Sequence, residues 1–302
     1  MFSSKSVIAC TAAAALGFTG VAGQAAQVNV GAFGDSGWKA DDVRNTLGTD
    51  LVGINNTNAG KPGQTPTAAD DLAIASQIQF VAGPSGSTYG GAVSIDGTSS
   101  NSGKSNYSVI DTASGFGTGA SLLTTFNATY EWYGQPNPTT RTLAFKLGIQ
   151  STSWGTGTGQ SQDGFTATRS GESAWDLVLV HVPATSDNAW STVSVDHDSG
   201  TWALYRQAGN TFFPVPSATP QTLDQWNTDS TFGPLLFGSG AKVTSIQFGL
   251  GSSQKNSISY VDYLQTNLLN GGDVINYVPE PSILGVAGLA ASALLMRRRR
   301  RV

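Results

Sequence analysis

Cysteine is all but missing from this 302-residue chain; the single one, Cys10, sits in an apolar stretch at the N-terminus. The region beyond it can form neither a disulfide framework nor a cysteine metal site, and must fold on its apolar core alone. Basic charge is scarce too. Lys5 and five arginines near the C-terminus account for six of the 16 basic residues, and Glu280 for one of the 20 acidic ones, so the region between the two ends is about nine charges negative. That balance excludes the basic footprint that nucleic acid demands, and it disfavours docking on anionic lipid. An acidic surface supports solubility or, at most, the binding of cations. Only two histidines occur, His181 and His197, and no His-x-x-x-His spacing is there to hold zinc. No Gly-x-Ser-x-Gly nucleophile elbow is present either.

What the chain has instead is glycine (37 residues), serine, threonine and asparagine, in which short apolar runs are set at regular intervals. Strands alternating with turns have this composition. Val28 to Phe33 is a short β-like entry, and Trp38 to Leu47 predicts a short helix closed by Gly48. Leu72 to Val81 reads as helix or strand, the ending at Gly83-Pro84 favouring a strand. Further strands are expected at Ala92 to Ile95, Tyr107 to Ile110, Ala120 to Trp132, Arg141 to Gln150 and Ala174 to Val182. Trp190 to Asp196 and Trp202 to Arg206, joined through Asp198-Ser199-Gly200, read as one hairpin. Val243 to Leu250 and Ile258 to Leu264 follow. About ten strands and at most one or two short helices predict an all-β, two-sheet sandwich of the jelly-roll or lectin-like kind, one domain over residues 27–277.

The two ends differ from this middle. Residues 1–26 read as a secretory signal peptide: Lys5, an alanine-rich apolar run from Val7 to Val21, and a small-residue cleavage zone at Gly23-Gln24-Ala25-Ala26. Residues 278–302 contain Val278-Pro279-Glu280-Pro281, the uncharged apolar run Ser282 to Met296, and then Arg297, Arg298, Arg299, Arg300 and Arg301. Proline fixes φ and restrains its predecessor, so the first part is extended. The run of fifteen residues gives ~22 Å of helix, which snorkelling arginines on the cytoplasmic side can extend across a bilayer core of ~30 Å. These three parts in this order closely resemble the PEP-CTERM sorting signal of Gram-negative bacteria. The resemblance covers residues 278–302. It implies that exosortase, a membrane protease, is a partner. It further implies that the chain is held briefly in the inner membrane, cut at the Pro-Glu-Pro motif and passed to the cell surface or the extracellular matrix. The middle region also resembles the β-sandwich domains of other exosortase substrates, in Gly83-Pro84-Ser85-Gly86 and in Val261-Asp262-Tyr263.

Residues that could carry chemistry in the middle region are few. Glu131 and Glu172 are its only glutamates, about forty residues apart and on different predicted elements, so the facing carboxylates of a glycoside hydrolase are not evident. A non-catalytic protein is the expected class, with a carbohydrate-binding module as the alternative and a secreted glycoside hydrolase behind it. Aromatic rings that face solvent could hold extracellular polysaccharide. Trp154, ahead of a glycine-rich loop, and Trp132 and Tyr133, flanking Glu131, are the candidates, whereas Trp175, Trp190 and Trp202 are expected between the sheets. Strand alternation sends Glu131 and Trp132 to opposite faces. Asp196 and Asp198, two apart and followed by Gly200, have the spacing of a calcium loop or of a plain turn, and calcium is the one cofactor to consider. His181 continues the apolar face of a buried strand and is expected to be a hydrogen-bonded core residue.

Overall fold

The computed structural model describes residues 26–41, 43, 51, 65, 67–97, 105–111, 113–135, 143–152, 176–184, 188–208, 211–215, 219–250, 257–269 and 272–278. Fourteen strands among them make two seven-stranded sheets. The first sheet holds β1 (Gln27–Val30), β3 (Ile78–Ala82), β4 (Gly91–Asp96), β6 (Asn127–Gly134), β9 (Trp190–Asp196), β13 (Ile258–Thr266) and β14 (Val274–Tyr277). The second runs in the order β11 (Thr211–Pro214), β10 (Trp202–Ala208), β8 (Leu177–His181), β7 (Ala144–Ser151), β12 (Ala241–Leu250), β5 (Ser105–Ile110) and β2 (Trp38–Asp41). The all-β sandwich expected from the sequence is thus the architecture observed.

Alternation puts one face of each strand inside. Ala128, Tyr130 and Trp132 of β6 point to the core, as do Phe145, Leu147 and Ile149 of β7, and all six are fully buried. The sheets meet ring on ring. Tyr130 packs 5.4 Å from Phe145 and 5.2 Å from Phe248, while Trp38 of the second sheet lies 5.7 Å from Tyr277 of the first. At ~25 cal/mol per Å² of apolar area removed from water, such rings are the main source of cohesion in a fold without disulfides.

The first sheet forks. On one side β13 pairs with β6 along Ser259 to Thr266; on the other it pairs first with β4 through Val261 and then with β14 from Tyr263. At the seam, Asp262 is an extra residue in β13, a bulge between the pairs Val261–Trp132 and Tyr263–Glu131. A bulge bends the strand and re-aims its side chains, and this one sits where β14 gives out and β4 comes in.

Several local expectations give way to tertiary partners. Trp38 begins a strand, not a helix: Trp38 and Ala40 are buried on one face of β2, which pairs with β5, and Trp38 stacks 5.0 Å from Tyr107. The run at Leu72 divides into helix α1 (Ala68–Gln77), capped by Thr67, whose hydroxyl accepts from the Asp70 N–H at 3.1 Å, and β3 directly after it. The expected strand at Ala120 begins with a 3-10 turn over Gly119–Leu123 before β6. Two more short helices, α2 (Leu223–Asn227) and α3 (Gly233–Phe237), take the described α-helices to three, one above the expected number. Neither Thr211–Pro214 nor Val274–Tyr277 was expected as a strand.

The proposed hairpin is not one. β9 pairs with β6 in the first sheet and β10 with β8 and β11 in the second, so residues 197–201 carry the chain from one sheet to the other. Gly200 allows the crossing: its φ is +76°, and a Cβ there would lie 2.8 Å from Val195 and 3.3 Å from His181.

Candidate functional site

The outer face of the first sheet is built in rows. Registers place Trp190, Tyr133, Tyr260, Ser94 and Gln79 side by side across five strands. The next row holds Thr192, Glu131, Tyr263 and Asn276, with Asp262 added by the bulge. A third contains Ser194, Thr129 and Gln265, and the hydroxyls of Ser194 and Thr129 are 3.0 Å apart. The aromatic row is continuous: Tyr133 lies 5.5 Å from Trp190 and 5.9 Å from Tyr260 between ring centroids. All three rings are half-buried, with polar tips engaged: Tyr133 donates to Asn188, and Tyr260 accepts from Gln135 at 3.1 Å.

In the second row, the Glu131 and Asp262 carboxyls lie side by side, and both are buried under the loop that joins β3 to β4. That loop, Gly83 to Gly90, folds back over the sheet on three anchors. The Thr88 N–H donates to Glu131 Oε2 at 3.0 Å, the Tyr89 N–H to Asp262 Oδ2 at 2.8 Å, and the Trp190 Nε1–H to the Pro84 carbonyl at 3.0 Å. Tyr89 adds an edge contact to Tyr263 at 5.5 Å. Burial, and then the neighbouring Glu131 carboxyl, push Asp262 up to about 7, against the downward pull of the loop amides.

This contact decides what the pair can do. Glycoside hydrolysis needs carboxyls about 5 Å apart or more, on either side of a sugar bond. Glu131 and Asp262 touch each other, and their exposed side is closed by the loop. Glu172, the other glutamate considered, lies outside the described residues.

The other sequence-derived candidates are scattered. Trp132 is a correction: it is fully buried between the sheets, since alternation along β6 leaves Glu131 and Tyr133 outside and takes Trp132 inside. Tyr133 does face outward, in the aromatic row. Trp190, expected in the core, is its outer-face neighbour, and Trp202 is buried as expected. Trp154 and Trp175 lie outside the described residues, as do Pro279, Glu280, Pro281 and Arg297 to Arg301; Val278 is described. His181 is a buried residue with Nδ1 3.0 Å from the Thr201 carbonyl, and burial lowers its pKa.

Asp196 serves its own turn. Its Oδ1 accepts from the N–H groups of Asp198 (3.1 Å) and Ser199 (2.8 Å), and hydrogen bonding led by Ser199 holds it down to about 2. Asp198 is pushed up by Asp196, and His197 is raised by its hydrogen bond to Asp224 at 3.0 Å. These are the contacts of the plain-turn alternative. Among the described residues no three His, Cys, Asp or Glu side chains gather closely enough to hold a metal ion. Nor is any described helix long and apolar enough to cross a membrane.

The carboxyl pair was the part missed by the sequence. Glu131, Gly83-Pro84-Ser85-Gly86 and Val261-Asp262-Tyr263 each stood out, and the fold brings them together across 131 residues of separation.

No protein-family model matches this chain, and no curated protein does. Among solved structures, it has similarity to a family 11 carbohydrate-binding module from Clostridium thermocellum in complex with a β-1,3-1,4-mixed-linked tetrasaccharide. The identity is 13% and the TM-score 0.33, over 67% of this chain and 84% of that one. It is also similar to a protein from Bacteroides thetaiotaomicron described as a candidate glycoside hydrolase, at 10% identity and a TM-score of 0.29, over 72% of this chain and 60% of that one. At these scores neither likeness adds to the argument.

Proposed function

We propose that this is an exported, non-catalytic protein of the cell envelope or extracellular matrix, delivered by a signal peptide and sorted by exosortase through its C-terminal tail. The observation that carries the reading is where the first and last described strands lie. β1 starts at Gln27, directly after the leader boundary, and β14 ends at Tyr277, directly before Val278-Pro279-Glu280-Pro281. β1 and β14 pair in parallel, and the Val278 N–H closes the ladder on the Val30 carbonyl at 2.9 Å. Pro279 has no N–H with which to extend it. Cuts at both boundaries leave every described strand whole. Cell fractionation tests the sorting step: the wild-type protein leaves the inner membrane, while a variant with Pro279→Ala, Glu280→Ala and Pro281→Ala stays in it. Equal release of the two would contradict the proposal.

The same protein contacts extracellular polysaccharide through the outer-face row Trp190, Tyr133 and Tyr260. Half-buried rings bordered by hydroxyls, amides and carboxyls offer both apolar area and hydrogen-bond partners to a sugar chain. Trp190→Ala and Tyr260→Ala are expected to weaken retention on polysaccharide from the producing cells by about tenfold each, a loss of ~1.4 kcal/mol. Affinity electrophoresis of the exported form measures this. A wild-type protein that migrates unretarded, or variants retained as well as it is, would remove the polysaccharide face.

A further inference from the structure

Resting on the export reading, we propose that the leader is cut between Ala25 and Ala26, and that the ammonium group created at Ala26 docks on the Asp273 carboxylate. The first strand of the mature chain is thereby fastened to the last. The Ala26 N–H donates to Asp273 Oδ1 at 3.2 Å, across 247 residues of sequence. Beside it, the Val274 N–H donates to the Ala26 carbonyl at 2.9 Å. From there β1 and β14 run in parallel, with Gln27 beside Val274 and Val30 beside Tyr277. Ala26 thus stands at the head of the ladder with a carboxylate against its backbone nitrogen.

The sequence leaves more than one bond open to a leader peptidase. Small residues one and three places before the cut are the pattern required; Gly20 and Ala22 supply it, and so do Gly23 and Ala25. The structure separates the choices. A cut after Ala26, the boundary at which the sequence pattern ends, would put the larger Gln24 in the third place and remove the residue that makes both ties. A cut after Ala22 would leave Gly23-Gln24-Ala25 in front, and the Ala26 nitrogen would stay a neutral amide. The cut at Ala25–Ala26 keeps both ties and delivers a positive charge where a carboxylate receives it.

Hydrolysis adds one water across that amide. Its oxygen goes to the Ala25 carbonyl, which leaves with the leader as a carboxylate, and the Ala26 nitrogen becomes –NH3+. An α-amino group has a pKa of about 7.7–8.0, so it is largely charged at neutral pH. A neutral hydrogen bond to Asp273 then becomes a charge-assisted one, roughly twice as strong. The acceptor is held ready: Asp273 is half-buried and follows Gly272, whose φ of +101° turns the chain and whose N–H is bound to the Leu269 carbonyl at 2.8 Å. Further along the ladder the ties are uncharged, Asn29 accepting from the side-chain amides of Gln27 and Asn276 at 3.2 Å each. β1 has only four residues and lies at the edge of its sheet, so a tie at its head limits the fraying to which chain ends are prone.

N-terminal sequencing of the exported protein reads the cut, and a chain that begins at Ala26 is expected. A start at Gly23, Gln27 or any other residue past the leader's beginning would overturn the proposal and leave export standing; a chain that still begins at Met1 would overturn both. Hydrogen exchange at the Val274 amide, at pH 6.5, reads the docking in three otherwise identical proteins. One begins at Ala26, one begins at Gly23, and the third begins at Ala26 and carries Asp273→Asn, which keeps a side-chain oxygen but no charge. Protection is expected to be about threefold or more higher in the first than in either of the others. Protection in the Gly23 form that equals that of the Ala26 form would overturn the docking, as would an Asp273→Asn protein as well protected as the wild type.

Discussion

At the scale of single residues, one inserted amino acid in β13 has the largest consequence. The bulge at Asp262 puts both Asp262 and Tyr263 opposite Glu131, so a carboxyl that alternation would have spaced away from Glu131 lies against it. Its raised pKa, about 7 against about 3.9 for an unperturbed aspartate, is then a statement about stability. Between those values the folded protein keeps a proton that the unfolded chain has released. The contribution is therefore full below about pH 4, declines as pH rises and is gone above about 7. Urea unfolding at pH 5, 6, 7 and 8 should show falling stability over this range, and Asp262→Asn should be flatter and relatively more stable at pH 8. Asp196 has the opposite sign: its pKa is held down to about 2, so its contribution is present above about pH 4 and lost as pH falls towards 2. Exposure to solvent makes that second effect the smaller one.

At the scale of elements, the connection from β9 to β10 shows what decides a strand's partner. In sequence the two runs flank Asp198-Ser199-Gly200 and have the pattern of a hairpin, yet each has better company elsewhere. β9 fills the edge beside β6, and Trp202 of β10 packs 6.0 Å from Phe145 and 5.9 Å from Phe126 inside the sandwich. Helix α2 clips the crossing in place, its Asp224 N–H donating to the His197 carbonyl at 3.1 Å and the Trp226 Nε1–H to the Trp202 carbonyl at 2.8 Å. Gly200→Ala is expected to destabilise the fold by about 1–3 kcal/mol, through positive φ and the collision with Val195. A change below about 0.5 kcal/mol in chemical denaturation would show that the crossing is slack. Trp226→Ala, which removes a buried ring and its hydrogen bond, should cost about 3–5 kcal/mol.

The same elements mark how far a sequence can be read. The strands from β4 and β5 to β7, β8, β12 and β13 were legible because period-2 apolar patterning bounded by turn residues is a local signal. Trp38 and the run at Leu72 were not, because a short stretch with apolar residues fits both periods and only its partners choose. Alternation showed that Glu131 and Trp132 face opposite ways but not which of them is inside, so Trp132 was expected as an outward ring and is buried instead. The pairing of Glu131 with Asp262 was hidden, since it depends on strand register, on a one-residue bulge and on a loop that reaches back over the sheet.

At the scale of the whole molecule, two sheets and one aromatic core account for the stability of a chain whose middle has no cysteine, and the first and last strands lie side by side. β14 contributes Tyr277, fully buried against Trp38 and Tyr107, so trimming the chain before Val274 should abolish folding. Removing residues 279–302 takes away no described strand and should leave the melting temperature of the sandwich unchanged. The most direct measurement of the account is the intact mass of the protein recovered outside the inner membrane of wild-type cells. The account predicts a species that begins near Gln27 and ends within Val278 to Pro281, without the apolar run and the five arginines. A mass that runs intact to Val302 would contradict it.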